Sequence, residues 1–171
     1  MEHLQYPIGK LEFYPYYTEE EYGTWIEEIA SLPDRIRDEL QGITDEQLDT
    51  PYRPEGWTIR QVIHHLVHSH MNTVMRVMFA LSQDEPTVAS YPQEGWMELE
   101  SKFGTPLELS LFLLDELHAK MTLMYSSLTE EDRKRTFHLT DGRTFTLAKS
   151  CALYAWHSNH HLAHIQLVTK A

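Results

Sequence analysis

Apolar residues recur at helical spacing in four long stretches of the chain. The first opens at Thr18, a capping hydroxyl followed by Glu19, Glu20 and Glu21. The acid at the third helical position suits a capping box, and negative charge there suits the helix dipole. Tyr22, Trp25, Ile26, Ile29, Leu32, Ile36 and Leu40 then follow at helical spacing, with Pro33 as a candidate kink and Gly42 as the stop. Thr58 and Gln61 pattern as a second box, for a helix running to about Gln83. Thr105-Pro106-Leu107-Glu108 reads as the strongest start signal, with a cap residue, Pro at the first helical position and Glu at the third. The helix it predicts runs to about Ser127 and carries Leu107, Leu111, Leu114, His118, Met121 and Tyr125 on one stripe. A fourth helix is expected from Ala148 to Thr169.

The connecting segments read differently. Residues up to Tyr17 are aromatic and contain Pro, and are expected to form an extended arm packed on the domain. Thr44–Gly56 is a loop with room for one helical turn, Asp84–Pro92 a loop, Gln93–Phe103 a short helix with Trp96 and Leu99, and Thr129–Asp132 a short turn. Arg135–Leu139 and Arg143–Leu147 alternate Thr and Phe about Thr140-Asp141-Gly142, which predicts a β-hairpin. The expected fold class is all-α: a four-helix bundle with a small hairpin before the last helix. The long connections after the second and third helices permit crossover topologies.

Length makes this one domain, residues 1–171, large enough for a substantial core. Charge narrows the partners. With 26 acidic and 14 basic residues the formal charge is −12, which argues against nucleic acid and anionic membranes. The first twenty residues lack a basic segment followed by an apolar one, and no stretch reaches the roughly 18 apolar residues of a membrane span, so the expected location is cytoplasmic. The single cysteine, Cys151, excludes an intrachain disulfide framework and a multi-cysteine zinc site. It precedes His157 by six residues, about 600° around a helix, which makes it a buried apolar residue and not a nucleophile. Gly-x-Ser-x-Gly, Walker A and dinucleotide-binding motifs do not occur.

Histidine changes the picture most. Eight of the eleven fall in residues 64–70 and 157–164. His157 and His161 are one helical turn apart, as are His160 and His164, and such a pair can present two imidazole nitrogens to one metal. A third imidazole from the second long helix would complete a three-His site with an open position, suited to zinc, nickel or another borderline divalent ion. Spacing alone leaves 157/161 against 160/164 open, and 65 against 64 or 68. Asn72 and Arg76 share the helical stripe of His65, which makes them candidate substrate contacts; the alternative for Arg76 is an acid partner at the bundle end. His118 reads as a hydrogen-bonded core residue. Trp57, Tyr154 and Trp156 are pocket-mouth or packing aromatics.

Three runs carry a resemblance: Tyr6–Gly9, then Leu48-Asp49-Thr50-Pro51-Tyr52-Arg53-Pro54-Glu55-Gly56-Trp57-Thr58 continuing through His64-His65-Leu66 to Ser69-His70-Met71-Asn72, and Tyr154-Ala155-Trp156-His157-Ser158-Asn159-His160-His161-Leu162-Ala163-His164. In order and over nearly the whole chain, they resemble the YfiT branch of the DinB superfamily. The resemblance implies an up-down-down-up four-helix bundle, usually a homodimer. It also implies one nickel or zinc ion per subunit held by His65, His157 and His161, with His64, His68, His160 and His164 left without assigned roles. Asn159 is a departure from some close relatives, at a position that is not a matched ligand. The implied activity is that of a metal-dependent hydrolase activating water, or of a bacillithiol-type thiol S-transferase acting on small electrophiles. A non-catalytic metal- or ligand-binding bundle is the other class.

Overall fold

The computed structural model describes residues 2–13 and 15–170; Tyr14, in the segment expected to be an arm, lies outside them. In chain order the elements are α1 (Glu2–Gln5), α2 (Glu19–Glu39), α3 (Asp45–Leu48), α4 (Ile59–Ser82), β1 (Thr87–Val88), α5 (Gln93–Phe103), α6 (Leu107–Ser126), α7 (Glu130–Lys134), β2 (Thr136–Leu139), β3 (Thr144–Thr146) and α8 (Leu147–Thr169).

Threonine capping boxes set four of the starts. Thr18 with Glu21, Thr44 with Gln47, Thr58 with Gln61 and Thr129 with Asp132 each exchange both bonds of the box. Thr146 caps α8 through the Lys149 N–H. The expected Thr105 cap is a correction. α6 begins one residue later, with Pro106 in extended conformation at the cap and no side-chain bond. Two further expectations change. The amino-terminal arm begins with the short helix α1. The loop after α4 contains β1, which pairs parallel to β2, so the expected hairpin is the β2–β3 part of a three-stranded sheet. Gly142, at φ 90°, makes the β2–β3 turn in a region that disfavours a side chain.

Cross-helix bonds fix the bundle topology. Tyr22 meets Tyr125 and Arg37 meets Asp115, so α2 and α6 are antiparallel. Arg35 meets Asn159 and Glu39 meets Gln166, so α2 and α8 run parallel. His64 meets Ser110 and Thr73 meets Tyr125, so α4 and α6 are parallel. Thr73 meets Ser150 and Ser69 meets Tyr154, so α4 and α8 are antiparallel. The four long helices therefore run up, down, down, up, as expected. Because α6 starts at the end opposite to where α4 stops, residues 83–106 must return along the bundle. The 24-residue α4 is roughly 36 Å long, which accounts for the length of that connection.

The interior is layered. Tyr22, Ile29, Val77, Met121, Tyr125, Leu147 and Cys151 build one apolar cluster beside the sheet. Leu32, Ile36, Ile63, Leu66, Leu114, Leu162 and Ile165 build another at the far end. Between them lies a layer of histidines, with His65, His70, His118, His160 and His161 buried and His157 half-buried. Among the described residues, no helix is long and apolar enough to cross a membrane.

Candidate metal centre

His65 on α4 and His157 and His161 on α8 come together: one ligand nitrogen from each lies within 4.8 Å of the others. Nε2 of His65 and Nε2 of His157 are 3.2 Å apart. Two imidazoles on one tetrahedral zinc, at Zn–N of about 2.1 Å, place their nitrogens roughly 3.4 Å apart. The residues therefore fit a divalent ion.

Hydrogen bonds decide which nitrogen each ring offers. Pro33 has no N–H to give the carbonyl four residues earlier in α2, and that carbonyl, of Ile29, accepts from His118. A carbonyl only accepts, so His118 carries its proton on Nδ1 and leaves Nε2 as an acceptor. His118 Nε2 is 2.7 Å from His70 Nδ1, and His70 Nε2 is 3.2 Å from His157 Nδ1. Each neutral ring must then donate through Nδ1, and His157 presents a lone pair at Nε2. The same logic holds for His161. His164 Nε2–H donates to the Gln5 carbonyl at 3.2 Å, so its Nδ1 accepts from His161 Nδ1–H at 3.3 Å. Nε2 of His161 is left free. His65 Nδ1 lies 3.1 Å from the Tyr91 hydroxyl, which can accept its proton. Each ring thus has an outer partner on Nδ1, the arrangement that orients imidazole ligands.

Burial keeps these rings neutral, the form that binds metal. It pushes His65 down to about 3 and His118, His160 and His164 to about 4, and holds His70, His157 and His161 well below the ordinary histidine value; neighbouring histidines add to the effect for His65, His70, His157, His160 and His161.

The other histidines of the two windows fall into place around this centre. His64 bonds Ser110 and His68 bonds Glu100, both on the α5–α6 side, so neither reaches α8. His160, His161 and His164 also form a close cluster. That cluster shares His161 with the first and commits His164 to Gln5 and His161, while His160 stacks on Trp156. Asn159 faces α2, where it accepts from Arg35 at 2.9 Å. Asn72, proposed from its stripe as a substrate contact, turns back on its own helix: Nδ2 donates to the His68 carbonyl, and the residue lines neither cavity beside the triad. Its short side chain does not span the two turns to His65. Arg76, longer, does line such a cavity. Cys151 is buried, and burial raises its thiol pKa far above the ordinary value, as its helical position implied.

Two cavities of about 390 and 320 Å³ meet at His65, His157 and Gln93. The larger contains Arg76, Tyr91 and Tyr154; the smaller contains Trp57, Trp156 and His160. Tyr91 and the supporting role of His70 are absent from the sequence reading. Tyr91 sits in a segment without periodicity. His70 did leave a trace, a histidine in line with Ile63, Leu66 and Val77, which marks a buried ring in need of partners.

Comparison with known proteins agrees with the fold. A Bacillus cereus protein provisionally named a metal-dependent hydrolase is 44% identical over 171 residues, covering 99% of this chain and 98% of the relative. The structure of YfiT from Bacillus subtilis, described as "a probable metal-dependent hydrolase with an unusual four-helix bundle topology", superposes with a TM-score of 0.93 at 38% identity, covering 98% of this chain and 97% of that one. A mycothiol-dependent maleylpyruvate isomerase shares the fold at 12% identity, with a TM-score of 0.67 over 84% of this chain and 60% of that one. Residues 28–165, which hold all three histidines of the triad, match the DinB superfamily, and the chain belongs to it.

Proposed function

We propose that the chain is a metal-dependent enzyme acting on a small molecule, with one nickel or zinc ion held by His65, His157 and His161. The observation that carries this reading is the juxtaposition of the rings: the Nδ1 partners leave Nε2 of His157 and His161 free, Nε2 of His157 lies beside Nε2 of His65, and one ligand nitrogen of each residue lies within 4.8 Å of the others. A divalent ion with three neutral ligands keeps its charge and an open position, and so supplies Lewis acidity that lowers the pKa of a bound water or thiol. The chain's own groups do the rest. Trp57 packs against the His65 ring, and Tyr91 holds that ring in place.

Hydrolysis is the first reading, in line with the provisional names of the relatives. Thiol transfer, of the bacillithiol type, is the second. It is favoured by the two cavities that meet at His65 and His157, one for each of two organic substrates. Untagged, metal-loaded protein incubated with bacillithiol or another low-molecular-weight thiol and monochlorobimane separates them. Turnover to the conjugate supports transfer; ester or amide cleavage without conjugation supports hydrolysis. Metal binding with neither activity would leave a binding bundle and overturn the enzyme reading. The lone Cys151 suits a reducing compartment, and the reading takes the activity to be cytoplasmic.

The same proposal includes a homodimer. α4 exposes Met71, Met75 and Met78, and its neighbour α6 exposes Leu109, Phe112 and Leu113. Met71, Leu109 and Leu113 line one continuous groove, an apolar surface of the kind that marks an interface. Sedimentation should give a dimer for the parent chain and a monomer for Met75→Asp/Phe112→Asp; a monomeric parent contradicts it.

A further inference from the structure

Arg76 is 9% exposed, yet among the described residues no carboxylate pairs with it. Its guanidinium makes two long bonds to neutral groups: Nη1 to the Tyr154 hydroxyl at 3.4 Å and Nη2 to the Ala89 carbonyl at 3.3 Å. Nε is buried and has no partner among the described residues. Of the five N–H donors of an arginine, three are therefore unused. A buried cation in this state is costly unless something negative completes it.

The cavity beside it has the matching character. Arg76 lines the 390 Å³ space that also reaches His65 and His157 of the triad. The lining includes a second arginine, Arg143, already paired with Asp141, and none of the described lining residues is Asp or Glu. In a chain with 26 acidic residues and a net charge of −12, a pocket free of acids around an unpaired buried cation is a selective feature. An apolar part of the wall comes from the sheet and α8, through Phe137, Leu139, Phe145 and Leu153, beside the neutral polar groups of Ser69, Tyr91, Gln93 and Tyr154.

We infer that Arg76 is an anchor for a carboxylate, and that the substrate class is a small organic acid with an apolar body. The carboxylate takes the free donors of the guanidinium in the two-pronged geometry that arginine provides. The apolar body lies along Phe137 and Phe145, and the reacting part of the molecule extends toward the triad. The inference rests on the reading of the triad-lined cavity as the reaction site, but the anchor belongs to the chain itself and does not need the metal.

Calorimetry with 4-phenylbutyrate and its neutral amide tests it on the full chain, both metal-loaded and stripped by chelator. The acid should bind about tenfold or more tightly than the amide, in the stripped protein as in the loaded one. Arg76→Met should erase that preference, and Arg76→Lys should keep part of it. Because Arg76→Met removes an uncompensated buried charge, it should melt no lower than the parent, while 4-phenylbutyrate should raise the melting temperature of the parent alone. His157→Ala should keep the preference, which separates a failed metal reading from a failed anchor. Equal binding of acid and amide by the parent, no binding of either, a preference that survives Arg76→Met, or one that vanishes on metal removal would each overturn the proposal.

Discussion

The His157→Ala chain should fail to bind divalent metal at concentrations that saturate the parent. His157 is the ring with the most complete support, since its Nδ1 proton is fixed through His70, His118 and the Ile29 carbonyl, and its Nε2 lies 3.2 Å from that of His65. Removing it leaves two imidazoles and strips His70 Nε2 of its donor. Losing a ligand should cost more than the roughly 10–100-fold in affinity that loss of an outer partner costs. Competition against a chromophoric chelator reads the change, and circular dichroism confirms the fold. His161→Ala should behave alike. His68→Ala, whose ring bonds Glu100 on the far side of α4, should bind metal as the parent does. Retained binding in His157→Ala would remove the triad from consideration.

His70→Leu carries the second large effect. The substitution keeps the core apolar but leaves His157 Nδ1–H without an acceptor, so the ring loses both its tautomer preference and its orientation. Metal affinity should fall roughly 10–100-fold. His70→Gln should recover part of the loss, because its side-chain oxygen can accept that proton where leucine cannot. Nitrogen NMR of the His157 ring distinguishes this from simple packing damage: the parent should show the proton on Nδ1, His70→Leu a mixture of tautomers, and His70→Gln the parent pattern. Unchanged affinity in His70→Leu would show that the histidine chain does not position the ligand.

The four long helices could be read from the sequence because their signals are local. Apolar residues at helical spacing specify a face in all four, and in α2 and α4 a threonine followed three residues later by Glu or Gln specifies the start, without reference to the rest of the chain. The local signal also misled: Thr105 has every attribute of a cap, yet the helix starts one residue later with Pro106 at the cap. β1 is two residues long and owes its existence to β2, about fifty residues later, so no periodicity announces it.

The site divides in the same way. The spacing of His157 and His161 was visible, as was the candidacy of His65. The choice of His65 over His64 and His68 came from family resemblance, and the structure gives its physical basis: of these three, only His65 faces α8. The chain from Pro33 to His157 was not visible. It depends on the register of α2, α4, α6 and α8 against one another, and a proline that reads locally as a kink becomes the reason a carbonyl is free to hold His118. Arg76 and Asn72 share a stripe, and spacing treats them alike. Side-chain reach separates them.

X-ray absorption at the metal edge of untagged, metal-loaded protein tests the central claim most directly. The expected result is one ion per chain with three imidazole nitrogens at about 2.0–2.1 Å, and loss of one imidazole or of the ion itself in His161→Ala. An ion with fewer than three imidazoles, or a spectrum that His161→Ala leaves unchanged, would contradict it.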